Sequence, residues 1–175
     1  DGTADEQAVT SATFYFFDAA GNSFPVNANG NYYNVAIADN GGTEAPNIES
    51  MSDPVLVIEK YKGAFPAQIV AVVNYTGNTI LSLAQLKAQM QAVGHTDGKN
   101  FIMTNSAYVD GAGEAIYATA LTIDHFQTTA EKALASPVTI YVERMTAKLS
   151  LTSGSAAFNT GVKLNDKEVY AKVNG

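Results

Sequence analysis

The sequence predicts a mainly β protein, a β-sandwich or barrel, with one short inserted α-helix at about residues 82–93. Short apolar runs rich in β-branched and aromatic residues indicate strands, and clusters of Gly, Asn, Asp and Pro separate them. Strands spaced in this way are typical of a sandwich or barrel rather than of alternating β and α units. A single amphipathic helical pattern interrupts them.

Five apolar runs are predicted to be strands: TFYFF (13–17), YYNVAIA (32–38), PVLVIEKY (54–61), AQIVAVVNY (67–75) and AIYATALTI (115–123). The third and fourth are almost continuously apolar, which is the pattern of a strand that is buried on both faces. From these runs we expect a core that includes Phe14, Phe16, Val57, Ile69, Val72, Ile140 and Val142.

A further strand is predicted at 137–151, and its apolar face changes parity at Glu143–Arg144. Val142 is the last apolar residue on the even positions, and Met145 is the first on the odd ones. Because a strand has a period of two, one extra residue in a β-bulge would return both halves to one core. The alternative is a strand that leaves one sheet and enters another. The stretch TSGSAAFNTG (152–161) that follows is predicted to be a loop.

The predicted helix begins after Ser82, which forms a capping box with Gln85. Its apolar stripe consists of Leu83, Leu86, Met90 and Val93, and Gly94 suits the left-handed C-terminal cap. A second helical turn is predicted at 128–135, where Pro137 ends it.

Composition excludes several classes of function. The net charge of −7 with a single arginine, Arg144, leaves no basic surface for nucleic acid. The absence of cysteine excludes thiol catalysis and cysteine-ligated zinc. No apolar run approaches the ~20 residues of a membrane-spanning helix. The acidic opening DGTADEQ suggests a mature or engineered start from which a targeting segment has been removed.

Polar residues near His95 do not form a recognisable catalytic set. His95 and Asp97 lie in a glycine-rich stretch, and no nucleophile-elbow motif surrounds Ser106. The stretch DGAGE (110–114), which begins at Asp110, lacks the alternating oxygen ligands of a calcium loop. The pair Asp124–His125 has no oriented third partner in the sequence. We therefore expect no catalytic residues, no metal site and no cofactor.

The stretch GNSFPVNANGNYYN (21–34) mixes amides with aromatic side chains, which can hydrogen-bond to a sugar and stack on it. The alternative is a connection between strands that is rich in turn residues. Residues 74–76 (NYT) fit an N-glycosylation sequon.

Several stretches together resemble the N-terminal domain of the fimbrillins, the fimbrial subunits of Bacteroidales-type bacteria. FIMTNSAYVDG (101–111) is similar to their F-x-M-[ST]-[NS] segment, and VTIYVERMTAKLSL (138–151) resembles their V-E-R-x-x-A-K strand. TFYFFDAAGNSF (13–24) resembles the opening strand and turn of the family, and EVYAKVNG (168–175) its approach to the C-terminal domain.

The resemblance implies a transthyretin-like β-sandwich at residues 1–152, followed at 153–175 by a linker and the first part of a truncated C-terminal domain. It further implies a structural subunit of a surface fimbria, exported through a lipoprotein precursor and associated with the outer membrane. In the family, proteolytic removal of an N-terminal strand opens a groove that accepts a donor strand from a neighbouring subunit, and the fibre supports adhesion and biofilm formation.

The partners expected from the resemblance are other fimbrial subunits and ligands on host or bacterial surfaces, and not nucleic acid. The chain is not expected to span a membrane. The residues expected to line the acceptor groove or its core strands are Phe14, Phe16, Ile140, Val142 and Met145. A carbohydrate-binding surface module, or a tip or anchor adhesin, is the alternative function.

Overall fold

A computed structural model describes residues 8–37, 54–59, 63–92, 101–105, 117–145 and 157–172 of the chain. In these ranges the protein is mainly β, as predicted, with a six-stranded sheet, a separate two-stranded sheet and two α-helices. The strands are β1 (Ser11–Phe17), β2 (Tyr32–Ala36), β3 (Gln68–Val73), β4 (Met103–Asn105), β5 (Thr119–Ala120), β6 (Val142–Arg144), β7 (Ala157–Leu164) and β8 (Lys167–Lys172). The helices are α1 (Leu83–Ala92) and α2 (Ala130–Ala135).

The six-stranded sheet is antiparallel throughout and has the order β2-β1-β3-β4-β6. Strand β3 pairs with β1 along one side, and on its other side it pairs first with β5 and then with β4. The strands predicted at 13–17, 32–38 and 67–75 are confirmed as β1, β2 and β3. Of the strand predicted at 115–123, residues 115–116 lie outside the described part. Among the others Thr119–Ala120 is confirmed as a strand, and Ile123 already belongs to a 3₁₀ turn.

Both faces of the central strands are buried, because side chains of β1 and β3 alternate between two apolar clusters. One cluster, here named the Phe16 face, contains the buried residues Ala12, Phe14, Phe16, Val26, Ile69, Ala71, Val73 and Met103. The other, here named the Tyr15 face, contains Tyr15, Phe17, Val70, Val72, Leu81, Leu86 and Met90. The prediction that 67–75 is buried on both faces is therefore confirmed for β3.

Helix α1 covers the Tyr15 face with Leu86 and Met90, both almost fully buried. The predicted capping box is confirmed, since Gln85 N–H donates to Ser82 Oγ at 3.2 Å and Ser82 N–H donates to Gln85 Oε1 at 2.8 Å. The first residue of the helix is fixed to the turn after β1, where Leu83 N–H donates to the Gly21 carbonyl at 2.8 Å. Val93 and Gly94 lie outside the described residues.

The prediction that 54–61 is a strand buried on both faces is wrong for the described residues 54–59, which form no strand. Their side chains alternate, so that Leu56 and Ile58 pack on the Phe16 face while Val55 and Val57 face outward. Val57 is 64 % exposed and does not belong to the core. The near-continuous apolar run hides this alternation, because its outward positions are as apolar as its inward ones.

The second helical turn predicted at 128–135 is confirmed as α2. Thr129 caps it by accepting a 3.3 Å hydrogen bond from the backbone N–H of Lys132, and the helix ends before Ser136. None of its residues is buried, and Leu134 is 52 % exposed. The turn therefore forms from local capping rather than from packing on the core.

Strand β6 pairs with β4 in continuous register, from Asn105↔Val142 to Met103↔Arg144, and Met145 N–H donates to Ile102 O at 3.0 Å. No extra residue is present at Glu143–Arg144, so the bulge interpretation is wrong. Val142 packs on the Phe16 face and Met145 on the Tyr15 face, because side chains three residues apart in a regular strand point to opposite faces. The parity change in the sequence is therefore the point at which the apolar side chains move from one face of the sheet to the other. Whether the strand continues into another sheet concerns residues after Met145, outside the described part.

Strands β7 and β8 form a hairpin with Leu164 opposite Lys167. Asn165 and Asp166 both have positive φ, 51° and 60°, which fits a two-residue type I′ turn. The prediction that 152–161 is a loop is wrong for Ala157–Gly161, because this turn pairs the segment with β8. The domain boundary at 152/153 stays a prediction.

Candidate functional site

Asparagine side chains hold the loops between strands against the sheet by hydrogen bonds to backbone groups. Asn31 is fully buried, and its Nδ2 donates to the carbonyls of Phe16 at 3.0 Å and Leu81 at 2.8 Å. Its Oδ1 accepts from Leu81 N–H at 3.3 Å. Asn31 therefore ties the segment before α1 to the end of β1, and its amide is not available to a ligand.

A second network lies beside the Tyr15 face. Asn34 Nδ2 donates to the Gly77 carbonyl at 2.8 Å, and Gly77 N–H lies 3.0 Å from both Asn34 Oδ1 and Thr13 Oγ1. The Thr13 hydroxyl lies 2.6 Å from Asn34 Oδ1 and 2.7 Å from the Tyr75 carbonyl. These bonds fix the orientation of the Asn34 side chain on β2.

The same strand borders a half-open hollow of about 370 Å³, which is the candidate site. It is lined by Asn27, Ala28, Asn29, Tyr32, Tyr33, Asn34 and Glu59. We call it the β2 hollow. Tyr33 packs on the Phe16 face and Tyr32 on the Tyr15 face, so the hollow straddles the outer edge of the sheet.

The turn before β2 holds one wall of the hollow rigid. Asn27 is 4 % exposed, and its Oδ1 accepts from the N–H groups of Asn29 at 2.8 Å and Gly30 at 3.1 Å. Its Nδ2 donates to the Tyr32 carbonyl at 2.9 Å. The Tyr32 carbonyl on the outer edge of β2 therefore already accepts a hydrogen bond from Asn27. In a longer sheet, the backbone N–H of a neighbouring strand would donate to this carbonyl instead.

Backbone groups of β2 also face this hollow. Phe16 N–H donates to Asn31 O and Ile37 N–H donates to Thr10 O, so the odd-numbered residues of β2 bond to β1. In an antiparallel ladder the alternate residues direct their N–H and C=O groups the other way. The N–H of Asn34 therefore points away from β1, toward the side where the hollow lies.

Tyr33 and Glu59 also line the hollow. The Tyr33 hydroxyl donates to the carbonyl of Val57, two residues before Glu59. Burial and, next in size, the nearby Glu59 carboxylate raise the pKa of the Tyr33 hydroxyl, while a hydrogen bond with Asn27 partly offsets them. The hydroxyl is thus a neutral donor and acceptor at physiological pH, close to an exposed carboxylate.

The asparagines of 21–34, which the sequence presents as one group of candidate sugar contacts, fall into two sets in the structure. Asn27 and Asn31 are buried architectural residues, whereas Asn29 and Asn34 are exposed. Glu59 was missed because it is 25 residues or more from the other lining residues, and nothing in the local sequence distinguishes it from a solvated acid.

The five expected groove residues separate between the two faces. Phe14 and Phe16 are buried in the Phe16 face, and Ile140 and Val142 pack against it while half-buried. Met145 lies on the Tyr15 face. The fold therefore brings four of the five together, and the assignment of a groove to them stays a prediction.

His125 has a structural role in the 3₁₀ turn Ile123–His125. Its Nδ1 accepts a hydrogen bond from the Thr122 backbone N–H at 3.0 Å, which closes a capping interaction. Asp124 is exposed. His95, Asp97, Ser106 and Asp110 lie outside the described residues.

The asparagine side chain of the sequon at 74–76 makes intramolecular hydrogen bonds. Asn74 Nδ2 donates to the carbonyls of Ala8 at 2.9 Å and Phe101 at 3.0 Å, and its Oδ1 accepts from Thr10 N–H at 3.0 Å. A glycan attached at this nitrogen would break the contacts that hold residues 8–10 against the sheet.

Among the described residues, no group of three or more His, Cys, Asp and Glu side chains is placed to hold a metal ion. None of the described helices is long and apolar enough to cross a membrane. Neither a scan against protein-family models nor a search of curated proteins finds a match to this chain.

Proposed function

We propose that this chain is the N-terminal region of a structural subunit of a surface fimbria, with a transthyretin-like β-sandwich, that polymerises by accepting a donor strand from a neighbouring subunit. The role requires main-chain pairing and an apolar groove, and no catalysis or cofactor. It places the protein outside the cell, on a fibre associated with the outer membrane, and supports adhesion and biofilm formation.

The two segments that carry most of the family resemblance are neighbours in the sheet, which supports the proposal. FIMTN supplies β4 and VER supplies β6, and the two strands pair from Met103↔Arg144 to Asn105↔Val142. Phe101 and Met103 are core residues of this region, and Thr104 and Asn105 are buried beside them. Motifs that are 37 residues apart in sequence are thus parts of one structural unit.

The observation that carries the proposal is that β2 and β6 bound the sheet, and each has a partner on one side only among the described strands. Such edges present unpaired backbone groups to an incoming strand. At the start of β6 and just before it, Val142 and Ile140 are half-buried on the Phe16 face, and Tyr141 is 47 % exposed. A donor strand on β6 would cover these side chains while it extends the ladder.

The test is to add a synthetic peptide copied from the C-terminal strand of the full-length protein and to measure thermal unfolding. A ligand that binds only the folded state at one hundred times its Kd stabilises that state by about 2.7 kcal/mol, so a clear rise in Tm is expected. A peptide of the same composition in scrambled order is the control. Equal Tm values with both peptides would refute donor-strand addition by this chain.

A further inference from the structure

The β2 hollow is large enough to hold a small ligand. Its volume of about 370 Å³ falls at the lower end of the range found for ligand pockets, roughly 300–1,000 Å³. A site of this size takes a single ring-sized molecule or one residue of a chain.

The lining chemistry defines the class of ligand. Among the described residues, the lining consists of two phenols, three carboxamides, one carboxylate and Ala28, with no lysine or arginine. These described groups offer no positive charge to neutralise a phosphate, sulfate or carboxylate. Their one carboxylate is also fewer than the several charged oxygens that calcium sites use.

The polar groups offer both donors and acceptors at short range. The outward N–H of Asn34 is a donor, the amide of Asn29 supplies both kinds of group, and the Glu59 carboxylate accepts. The phenol rings of Tyr32 and Tyr33 are half-buried and add amphipathic surface. A molecule with several hydroxyl groups around an apolar ring face matches this combination.

Part of the lining is held in place before a ligand arrives, namely Asn27, Asn34 and Tyr32. Asn27 is fixed by three hydrogen bonds, and Asn34 is fixed by the Gly77 and Thr13 network. Tyr32 packs on Tyr15, with ring centroids 5.7 Å apart. Rigid walls reduce the entropy that binding must remove, which favours weak polar ligands in particular.

We propose that the β2 hollow binds one residue of a neutral saccharide, with Glu59, Asn29 and the Asn34 N–H as its hydrogen-bonding groups. The site lies on the outer side of β2, at the opposite end of the strand order from β6, and does not depend on the fimbrial proposal. A subunit that polymerises and a monomeric surface module would bind the sugar equally well.

The experiment uses saturation-transfer difference NMR on the full chain with the methyl glycosides of glucose, galactose, mannose and N-acetylglucosamine. We expect at least one of the four to bind with a Kd of about 1–10 mM. Glu59→Gln and Asn29→Ala are each expected to weaken that binding at least fivefold. Both residues are exposed, so the Tm should stay unchanged, and this separates loss of the site from loss of the fold.

Asn78→Ala is the matched control, because Asn78 is an exposed asparagine that does not line the hollow. It should bind the same glycoside as the unchanged chain does. Absence of saturation transfer from all four glycosides at about 50 mM would overturn the proposal. Binding that survives both Glu59→Gln and Asn29→Ala would equally overturn it, since the sugar would then occupy a different surface.

Discussion

The side chain of Asn105 takes the place of a strand backbone beside Ala71. Its Oδ1 accepts from Ala71 N–H at 2.6 Å, and its Nδ2 donates to the Ile69 carbonyl at 3.0 Å. At this point the partner of β3 changes from β5, opposite Ile69, to β4, opposite Val72. The Asn105 carboxamide bridges the interval between these two pairings, at Ala71.

Replacement of Asn105 by alanine is therefore expected to lower the free energy of unfolding by about 2–4 kcal/mol. The change leaves the Ala71 N–H and the Ile69 carbonyl buried without partners and opens a small cavity. Urea unfolding followed by circular dichroism measures it. Asn78→Ala, on the exposed loop before α1, is the control that should unfold at the original midpoint. Equal midpoints for both variants would show that Asn105 does not bridge the sheet.

Asn74 combines a left-handed backbone, with φ of 56°, and a side chain that clamps residues 8–10. Asn74→Gly removes the side-chain bonds but keeps the conformation, whereas Asn74→Ala also adds the left-handed penalty of about 1–2 kcal/mol. Both variants should be less stable than the original chain, with alanine the worse by about 1 kcal/mol. Equal urea midpoints for the two variants would contradict the role of the backbone.

Tyr15 differs from Asn105 and Asn74, whose side chains are hydrogen-bonded. Its hydroxyl is buried and has no hydrogen-bond partner among the described residues. Burial is the main reason why its pKa is raised, and the nearby phenols of Tyr75 and Tyr32 contribute. Tyr15→Phe removes an unsatisfied polar group at constant shape, so stability should stay equal or rise. A loss of more than about 1 kcal/mol in urea unfolding would show that the hydroxyl is hydrogen-bonded in solution.

Gly77 lies against the Tyr15 hydroxyl, so substitutions at the two positions can be tested together. A Cβ at this position would lie 2.5 Å from Tyr15 Oη and 2.8 Å from Thr13 Cγ2, so Gly77→Ala should destabilise the fold. Adding Tyr15→Phe removes the nearer atom, and the double variant should be more stable than the sum of the two single changes predicts by at least about 0.5 kcal/mol. Strict additivity would mean that the clash arises only from Thr13.

The turn after β1 should depend on pH through Asp18. Its carboxylate accepts from Asn22 Nδ2 at 2.9 Å and from the N–H groups of Asn22 and Ala20 at 2.8 and 2.9 Å, and the bonds from Asn22 are the main cause of its lowered pKa. Because the folded pKa is below the ordinary 3.8, the stabilisation is complete above that value and is lost as the pH falls through the folded pKa. Asp18→Asn should therefore reduce the Tm at pH 7, and the difference from the original chain should shrink as the pH falls below the ordinary value of 3.8. A difference that is constant with pH would exclude the carboxylate as its source.

The central strands were predictable because their sequence signal is local. TFYFF and AQIVAVVNY are long apolar runs with clear ends, and the structure buries both of their faces. The capping box of α1 was equally readable, since Ser82 and Gln85 are three residues apart. Where a run is apolar throughout, as at 54–59, the sequence cannot show that only alternate residues are covered.

Other features depend on a turn signal or on tertiary contacts. The β7–β8 hairpin had a local signal, because Asn165 and Asp166 are residues that tolerate positive φ between two alternating segments. The hollow had none, because Glu59 joins residues 27–34 only after the segment 54–59 folds over the Phe16 face. The site thus depends on a contact between distant segments that composition does not encode.

The pairing of the central sheet has a consequence for how fast the protein folds. β1 pairs with β3 across 61 residues at Ala12↔Val73, and β4 pairs with β6 across 41 residues at Met103↔Arg144. Closing such long loops costs conformational entropy before the stabilising contacts form, so a high contact order and slow folding are expected. The β7–β8 hairpin, which closes through two residues, can form long before the sheet is complete.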